Sequence, residues 1–187
     1  MDKSSLREQA KFHRDRIERR EEDFESVSAL FFDTLKPVAS QIIAAYWPKD
    51  REFDARYILD DALKAGIPCA LPIVHKDRRE LTFRAWNESA TMAPGTFGIM
   101  EPQNTPDVLP DIVIVPLLAF DRRGNRLGYG RGHYDATLAG LRAQKNIIAV
   151  GVGYGEQAVL FNLPVDEFDQ KLDLMITPSG VMDFRNG

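Results

Sequence analysis

Residues 112–141 read IVIVPLLAFDRRGNRLGYGRGHYDATLAGL, and this run decides the fold. Ile112–Val115 is apolar on both faces, as a central parallel strand covered on both sides must be. Four glycines follow within nine residues, at 124, 128, 130 and 132, and a helix is predicted to open near His133. In open α/β sheets ligands bind beyond the carboxyl ends of the strands, which is where this loop would lie. Glycines let backbone N–H groups approach an oxygen-rich ligand and form anion nests. The helix N-terminus adds a partial positive charge. Arg126 and Arg131 interleave with the glycines, and a guanidinium can clamp phosphate oxygens in a bidentate way. The implied chemistry is phosphate binding. The loop lacks the G-K-[ST] of a Walker A motif, and its G-x-G-x-G spacing misses the dinucleotide fingerprint.

Working outward, strands alternate with helical segments. Residues 4–21 are expected to form an amphipathic helix with Leu6, Ala10, His13 and Ile17 on its apolar stripe, His13 as a packing residue. A second helix, capped by Asp23, is predicted to run to Leu35 with Phe24, Val27, Leu30 and Phe31 facing the core. Strands are predicted at 41–46, 68–74, 81–85, 146–152 and 172–177. Further helices are expected from Asp54 to Ala65, closed by Gly66, and over 133–143. Residues 87–111, rich in proline and glycine, read as one long loop. The pattern predicts a single-domain, three-layer α/β/α fold over residues 1–187, with a mostly parallel open sheet and the Gly/Arg-rich loop after a central strand.

The 187 residues are 44% hydrophobic and 28% charged, which excludes a disordered or fibrous chain. No apolar run approaches the ~20 residues of a membrane span. The first 23 residues carry seven basic and seven acidic side chains, unlike a signal or transit peptide. A net charge of -4 gives no reason to expect nucleic acid or an anionic membrane as partner. Within residues 121–142, however, five arginines (122, 123, 126, 131, 142) face only Asp121 and Asp135, a local +3 suited to a small anionic ligand. The single cysteine, Cys69, excludes an internal disulfide framework and reads as an inert core residue, consistent with a reducing, cytoplasmic setting. His75 reads as part of a solvated turn, and Glu101 as a turn residue outside the catalytic set.

The run FDxxGxRLGYGxGxYD, present as Phe120–Asp135, resembles the ATP-binding segment of the 5-formyltetrahydrofolate cyclo-ligase (5,10-methenyltetrahydrofolate synthetase) family. Weaker matches span nearly the whole chain. Lys3-x-x-Leu6-Arg7 resembles the family's N-terminal K-x-x-L-R. Tyr46-Trp47-Pro48 with Glu52 resembles its substrate-binding strand end. Phe97–Pro102 resembles its F-G-I-x-E-P loop, and Leu163-Pro164 with Asp169 and Asp173 its C-terminal motif. The chain departs from the family at His133, where tyrosine is usual, and at Phe168, where histidine is often found.

The resemblance implies an enzyme that converts 5-formyltetrahydrofolate and ATP, with Mg²⁺, into 5,10-methenyltetrahydrofolate, ADP and phosphate. It implies ATP binding by Lys3, Arg7, Arg126, Leu127, Gly128, Tyr129, Gly130, Arg131, Gly132, His133 and Tyr134. It assigns the folate to Trp47, Glu52, Phe97, Tyr129 and His133, and the metal to Asp135 and Asp169. Arg131 and Tyr134 are the expected catalytic groups, and a monomer is expected. The competing reading is a non-catalytic, nucleotide-binding regulatory module on the same fold.

Overall fold

Ile112–Val115 is a strand with every residue buried, and its side chains alternate between two separate cores, Ile112 and Ile114 in one, Val113 and Val115 in the other. That alternation is the period-2 geometry of a strand covered on both faces. The computed structural model describes residues 2–186. In chain order the elements begin with helices α1 (Lys3–Arg14) and α2 (Glu21–Leu35), strand β1 (Ile43–Ala44) and helix α3 (Arg56–Lys64). Strands β2 (Cys69–Ile73), β3 (Thr82–Trp86), β4 (Met92–Pro94), β5 (Met100–Pro102), β6 (Asp107–Val108), β7 (Ile112–Val115), β8 (Ala119–Phe120) and β9 (Arg126–Leu127) follow. Helix α4 (His133–Gln144) and strands β10 (Ile148–Val152), β11 (Leu174–Thr177) and β12 (Gly180–Asp183) complete the chain.

Eight strands form the central sheet in the order β12-β11-β10-β7-β1-β2-β3-β6. From β11 to β2 all neighbours are parallel, while β12, β3 and β6 join antiparallel at the two edges. Helices α2 and α3 cover one face, contributing Phe24, Val27, Phe31, Ile58, Leu59 and Ala62 to the first core. Helix α4 covers the other through Leu138 and Leu141. Fully burying such a side chain contributes roughly 1.5–3 kcal/mol, so these stripes anchor the helices to the sheet. Two small antiparallel hairpins, β4–β5 and β8–β9, lie outside the main sheet, and Leu6 of α1 packs on the second of them.

The parallel α/β expectation agrees with this architecture, but several local readings do not. The first helix ends at Arg14 rather than continuing to 21, and α2 starts at Glu21 with no side-chain cap. Asp23 lies inside the first turn with Glu21 and Glu22, where carboxylates favour the helix dipole instead of capping it. On α1 the buried residues are Leu6 and Arg14, with Ile17 buried just beyond the helix end, and His13 is exposed with Nε2 against the Glu156 carbonyl at 2.9 Å. His13 and Arg14 both have helical spacing to Ala10 and Ile17, so spacing does not separate them; Arg14 is the one buried because the Tyr129 hydroxyl and Asp15 satisfy its guanidinium. Residues 87–111 are not a plain loop. They hold β4, β5 and β6, because Gly95 turns the chain back so that Met92–Pro94 pairs with Met100–Pro102. Glu101 in that hairpin is buried, accepts the Val74 N–H at 3.1 Å, and fills the space a Cβ on Gly95 would need. Cys69 is buried, and burial pushes its thiol pKa up to about 12, as an inert role requires.

Candidate active site

The parallel strands divide between β1 and β7. From β1 the chain moves to β2 on one side, and from β7 to β10 on the other. Loops leaving the carboxyl ends of two such strands diverge and open a crevice, the usual ligand position in an open α/β sheet. The loop after β1 carries Trp47 and Glu52, and the loop after β7 carries the Gly/Arg run.

The glycine loop adopts the backbone that only glycine takes at ease. Gly130 and Gly132 have φ of 92° and 72°, and Gly132 is the residue from which α4 starts. A Cβ on Gly130 would lie 3.1 Å from the Arg7 guanidinium carbon, so the missing side chain lets α1 approach the loop. Arg7 Nε donates to the Gly128 carbonyl at 3.1 Å. Lys3, one turn earlier on α1, donates to Asp169 at 2.6 Å and to Asp166 at 2.7 Å. Burial opposes the Lys3 charge, but the two carboxylates outweigh it and hold its pKa above the ordinary value.

Arg126, almost fully buried, ties three segments together. It donates to the Asp135 carboxylate at 2.9 Å and to the Gln170 carbonyl at 2.6 Å, while its Nε has no partner among the described residues. The same Asp135 oxygen accepts the Gln170 N–H at 2.9 Å. Asp135 is thus bonded to the residue that follows Asp169. Arg131 is exposed and lies over the Phe97 ring at 3.5 Å, and that ring is 6.3 Å from His133. Phe97 itself has φ of 61°, a strained conformation for a side chain of its size. His133 Nδ1 lies 2.8 Å from the Arg79 carbonyl. Tyr134 packs against both cores and burial pushes its phenol pKa up; Leu127 is buried in the β8–β9 hairpin. Trp47 is half-buried, edge-on to Trp86 and under the Arg56 guanidinium at 5.1 Å. Phe168 is 72% exposed.

Glu52 meets Tyr129 across the crevice. Tyr129 is 41% exposed as a residue, while its hydroxyl accepts from Arg14 and lies close enough to Glu52 for each to raise or lower the other's pKa. Burial raises the Glu52 pKa above the usual carboxylate range, against the pull of the Lys49 N–H, Tyr129 and Arg14. Arg14 is 1% exposed and also pairs with Asp15 at 2.7 Å. Sequence reading missed this arginine, although its place on the apolar stripe of α1 was a signal: a buried guanidinium must be paired.

Among the described residues no three His, Cys, Asp or Glu side chains converge. Asp135 and Asp169 each keep one carboxylate oxygen without a hydrogen bond in that same set. Two free hard oxygens fit a magnesium ion, which takes few protein ligands and completes its shell with phosphate and water.

A family model described as the 5-formyltetrahydrofolate cyclo-ligase family matches residues 1–178. The chain is 33% identical to 5-formyltetrahydrofolate cyclo-ligase of Escherichia coli K12 over 154 residues, covering 79% of this chain and 83% of that protein. It is 33% identical over 159 residues to the Haemophilus influenzae protein of the same name, covering 81% and 84%. The NMR structure of Aquifex aeolicus 5,10-methenyltetrahydrofolate synthetase superposes with a TM-score of 0.80 at 30% identity, covering all of this chain and 95% of that one.

Proposed function

We propose that this chain, which belongs to the 5-formyltetrahydrofolate cyclo-ligase family, spends ATP to convert 5-formyltetrahydrofolate into 5,10-methenyltetrahydrofolate, with residues 1–187 acting as one catalytic unit. It is an ATP-dependent ligase of one-carbon metabolism acting on small molecules. The observation that carries the site assignment is the convergence of α1, the glycine loop and the Glu52 loop at the β1/β7 crevice.

The formyl oxygen of the substrate is amide-like and leaves poorly. In the proposed reaction it attacks the γ-phosphorus, the bond to the β-phosphate oxygen breaks, and ADP departs. The neighbouring nitrogen then bonds to the formyl carbon with loss of its proton, and the oxygen leaves as phosphate. Phosphoryl transfer depends mainly on positioning and on spreading charge. Lys3, Arg7, Arg126 and Arg131 are the proposed cations, with the backbone of Gly128, Gly130 and Gly132 close to the phosphates. The unpartnered, buried Arg126 Nε supports this, since such a donor is rarely left unsatisfied. Tyr134, in the first turn of α4, is proposed beside them. Asp135 and Asp169 would hold Mg²⁺, which when bound would offset the charge of the phosphates. Trp47, Phe97, Tyr129 and His133 form the flat walls for the pterin, and Glu52 accepts its N–H groups.

The direct test is to mix the protein with ATP, magnesium and 5-formyltetrahydrofolate and follow the longer-wavelength absorbance of the conjugated methenyl product. Product is expected only with nucleotide and divalent cation both present. Equal product without nucleotide would remove the ligase mechanism, and tight ATP binding without product would point to a regulatory module.

Glu52→Gln is expected to raise the KM for the folate while leaving that for ATP nearly unchanged. A neutral amide is half donor and matches pterin N–H groups poorly, and losing such a charged contact costs on the order of 2–4 kcal/mol, ~30- to ~800-fold. Because the Glu52 pKa is raised, wild-type folate affinity should begin to fall at a higher pH than an ordinary carboxylate would dictate as the solution is acidified. That limb of the pH profile should vanish in the Gln variant. A matching loss of ATP affinity would remove Glu52 from the pterin site.

A further inference from the structure

Helix α1 reaches the glycine loop at two successive residues. Arg7 Nε donates to the Gly128 carbonyl at 3.1 Å, and Arg14 Nη1 donates to the Tyr129 hydroxyl. The two arginines are seven residues apart, about two turns along one face of the helix. Arg7 is half-buried, whereas Arg14 is 1% exposed. Asp15, itself partly open to solvent, accepts from Arg14 Nε and Nη2 at 3.1 and 2.7 Å. An aliphatic side chain would fill that place without the cost of burying a charge, and nothing in the proposed reaction yet uses this guanidinium.

The groups around Glu52 come from several elements. On its own loop Asp50 repels it and the Lys49 N–H donates to it at 2.7 Å. The cations of that loop are turned elsewhere, Lys49 Nζ to the Phe97 carbonyl at 3.5 Å and Arg51 to the Ile17 carbonyl at 2.8 Å. Tyr46 after β1, Tyr134 from α4 and Tyr129 from the glycine loop bring phenols that burial keeps neutral. Arg14, from α1, is the cation that acts on Glu52. Burial works against the Arg14 charge, but Tyr129, Asp15 and Glu52 outweigh it and hold its pKa above the ordinary value.

We propose that Arg14 is a positioning residue for folate binding: through the Tyr129 hydroxyl it supplies the counter-charge that keeps Glu52 an acceptor for the pterin N–H groups. This rests on the folate reading of Glu52. A carboxylate withdrawn from water stays charged only beside positive charge or hydrogen-bond donors. The Tyr129 oxygen accepts from Arg14, which leaves the phenolic proton for a second acceptor and strengthens it as a donor. Setting the cation one side chain back has a chemical consequence. A guanidinium in direct contact would take both carboxylate oxygens in a bidentate pair and leave little for the pterin.

The test is calorimetric titration of 5-formyltetrahydrofolate into the full chain, without ATP so that no turnover occurs, over a series of pH values. Wild type should lose affinity as the solution is acidified, and Glu52→Gln should lack that limb. In Arg14→Met the midpoint of the limb is expected to move up by about one pH unit, the low end of what a nearby opposite charge produces. Its affinity should return toward the wild-type value at higher pH, where Glu52 ionises without help. Tyr129→Phe keeps the ring but cuts the link, so its limb should move the same way. Arg14→Lys keeps the charge and should restore most of the wild-type profile. A limb unmoved in Arg14→Met, with affinity lost equally at every pH, would make Arg14 a structural tie and overturn the proposal. Should that variant not fold, an unmoved limb in Tyr129→Phe has the same force. A limb missing from wild type, or retained in Glu52→Gln, would remove Glu52 from the pterin site and the proposal with it. The Gln variant thus separates failure of the Glu52 reading from failure of the Arg14 role.

Discussion

Arg126→Met is expected to lower kcat by ~100-fold or more and to lower the melting temperature at the same time. One side chain holds the Asp135 carboxylate at 2.9 Å and the Gln170 carbonyl at 2.6 Å, so its loss frees α4 from the 166–170 segment. Breaking a buried charge pair costs about 3–5 kcal/mol. Asp135 keeps some contact with water, which reduces the loss to about 2 kcal/mol, or roughly 4–8 °C for a chain of this length. The rate loss has a separate origin: a donor aimed at charge that grows in the transition state contributes about 3 kcal/mol. Arg126→Lys should recover little, because an ammonium cannot span both acceptors as a planar fork does. Arg131→Ala supplies the comparison. Its guanidinium is exposed over Phe97, so a similar fall in rate should come with an unchanged melting temperature. Steady-state kinetics and thermal unfolding of both variants separate the effects. An Arg126 variant that melts early yet turns over normally would make that residue a structural tie only.

Those two arginines show what a sequence can and cannot display. Their interleaving with glycines is the pattern expected of an anion loop, and the two-faced apolar strand before it places the loop at the end of a central parallel strand. Both features are local in sequence, hence legible. Whether a given arginine faces solvent or is consumed by a carboxylate is decided by residues 9 and 44 positions away, which periodicity does not encode. Arg142, counted among the five arginines of the local positive charge, is likewise taken up by partners: it bonds Gln170, Lys171 and Asp173 and so braces the segment carrying Asp169. The antiparallel edge strands β3, β6 and β12 escaped as such for a related reason. An apolar pentapeptide specifies a strand, but its direction depends on the connection, and 87–111 hides a hairpin among prolines that individually signal loop. Helix α1 misled by one residue, because His13 looks more like a packing residue than Arg14 until Asp15 and the Tyr129 hydroxyl are seen to satisfy the guanidinium.

Asp135→Asn and Asp169→Asn are each expected to raise the magnesium concentration for half-maximal rate by at least ~10-fold. The two residues are 34 positions apart, yet Asp135 accepts the N–H of the residue next to Asp169. Each carboxylate gives one oxygen to a cation, Arg126 for the first and Lys3 for the second. Purely structural aspartates would use those bonds and nothing more, and their removal would cost stability without touching the metal requirement. The magnesium titration therefore decides the matter, and the melting temperature does not. Two ligands of one ion act as a unit, so the double variant should lose much less activity than the product of the single losses. Saturating magnesium should rescue either single variant in part, because the ATP phosphates and the remaining carboxylate still supply hard oxygens. Losses that multiply independently, with half-maximal magnesium unchanged, would break the shared centre and leave Asp135 and Asp169 as the anchors of Arg126 and Lys3.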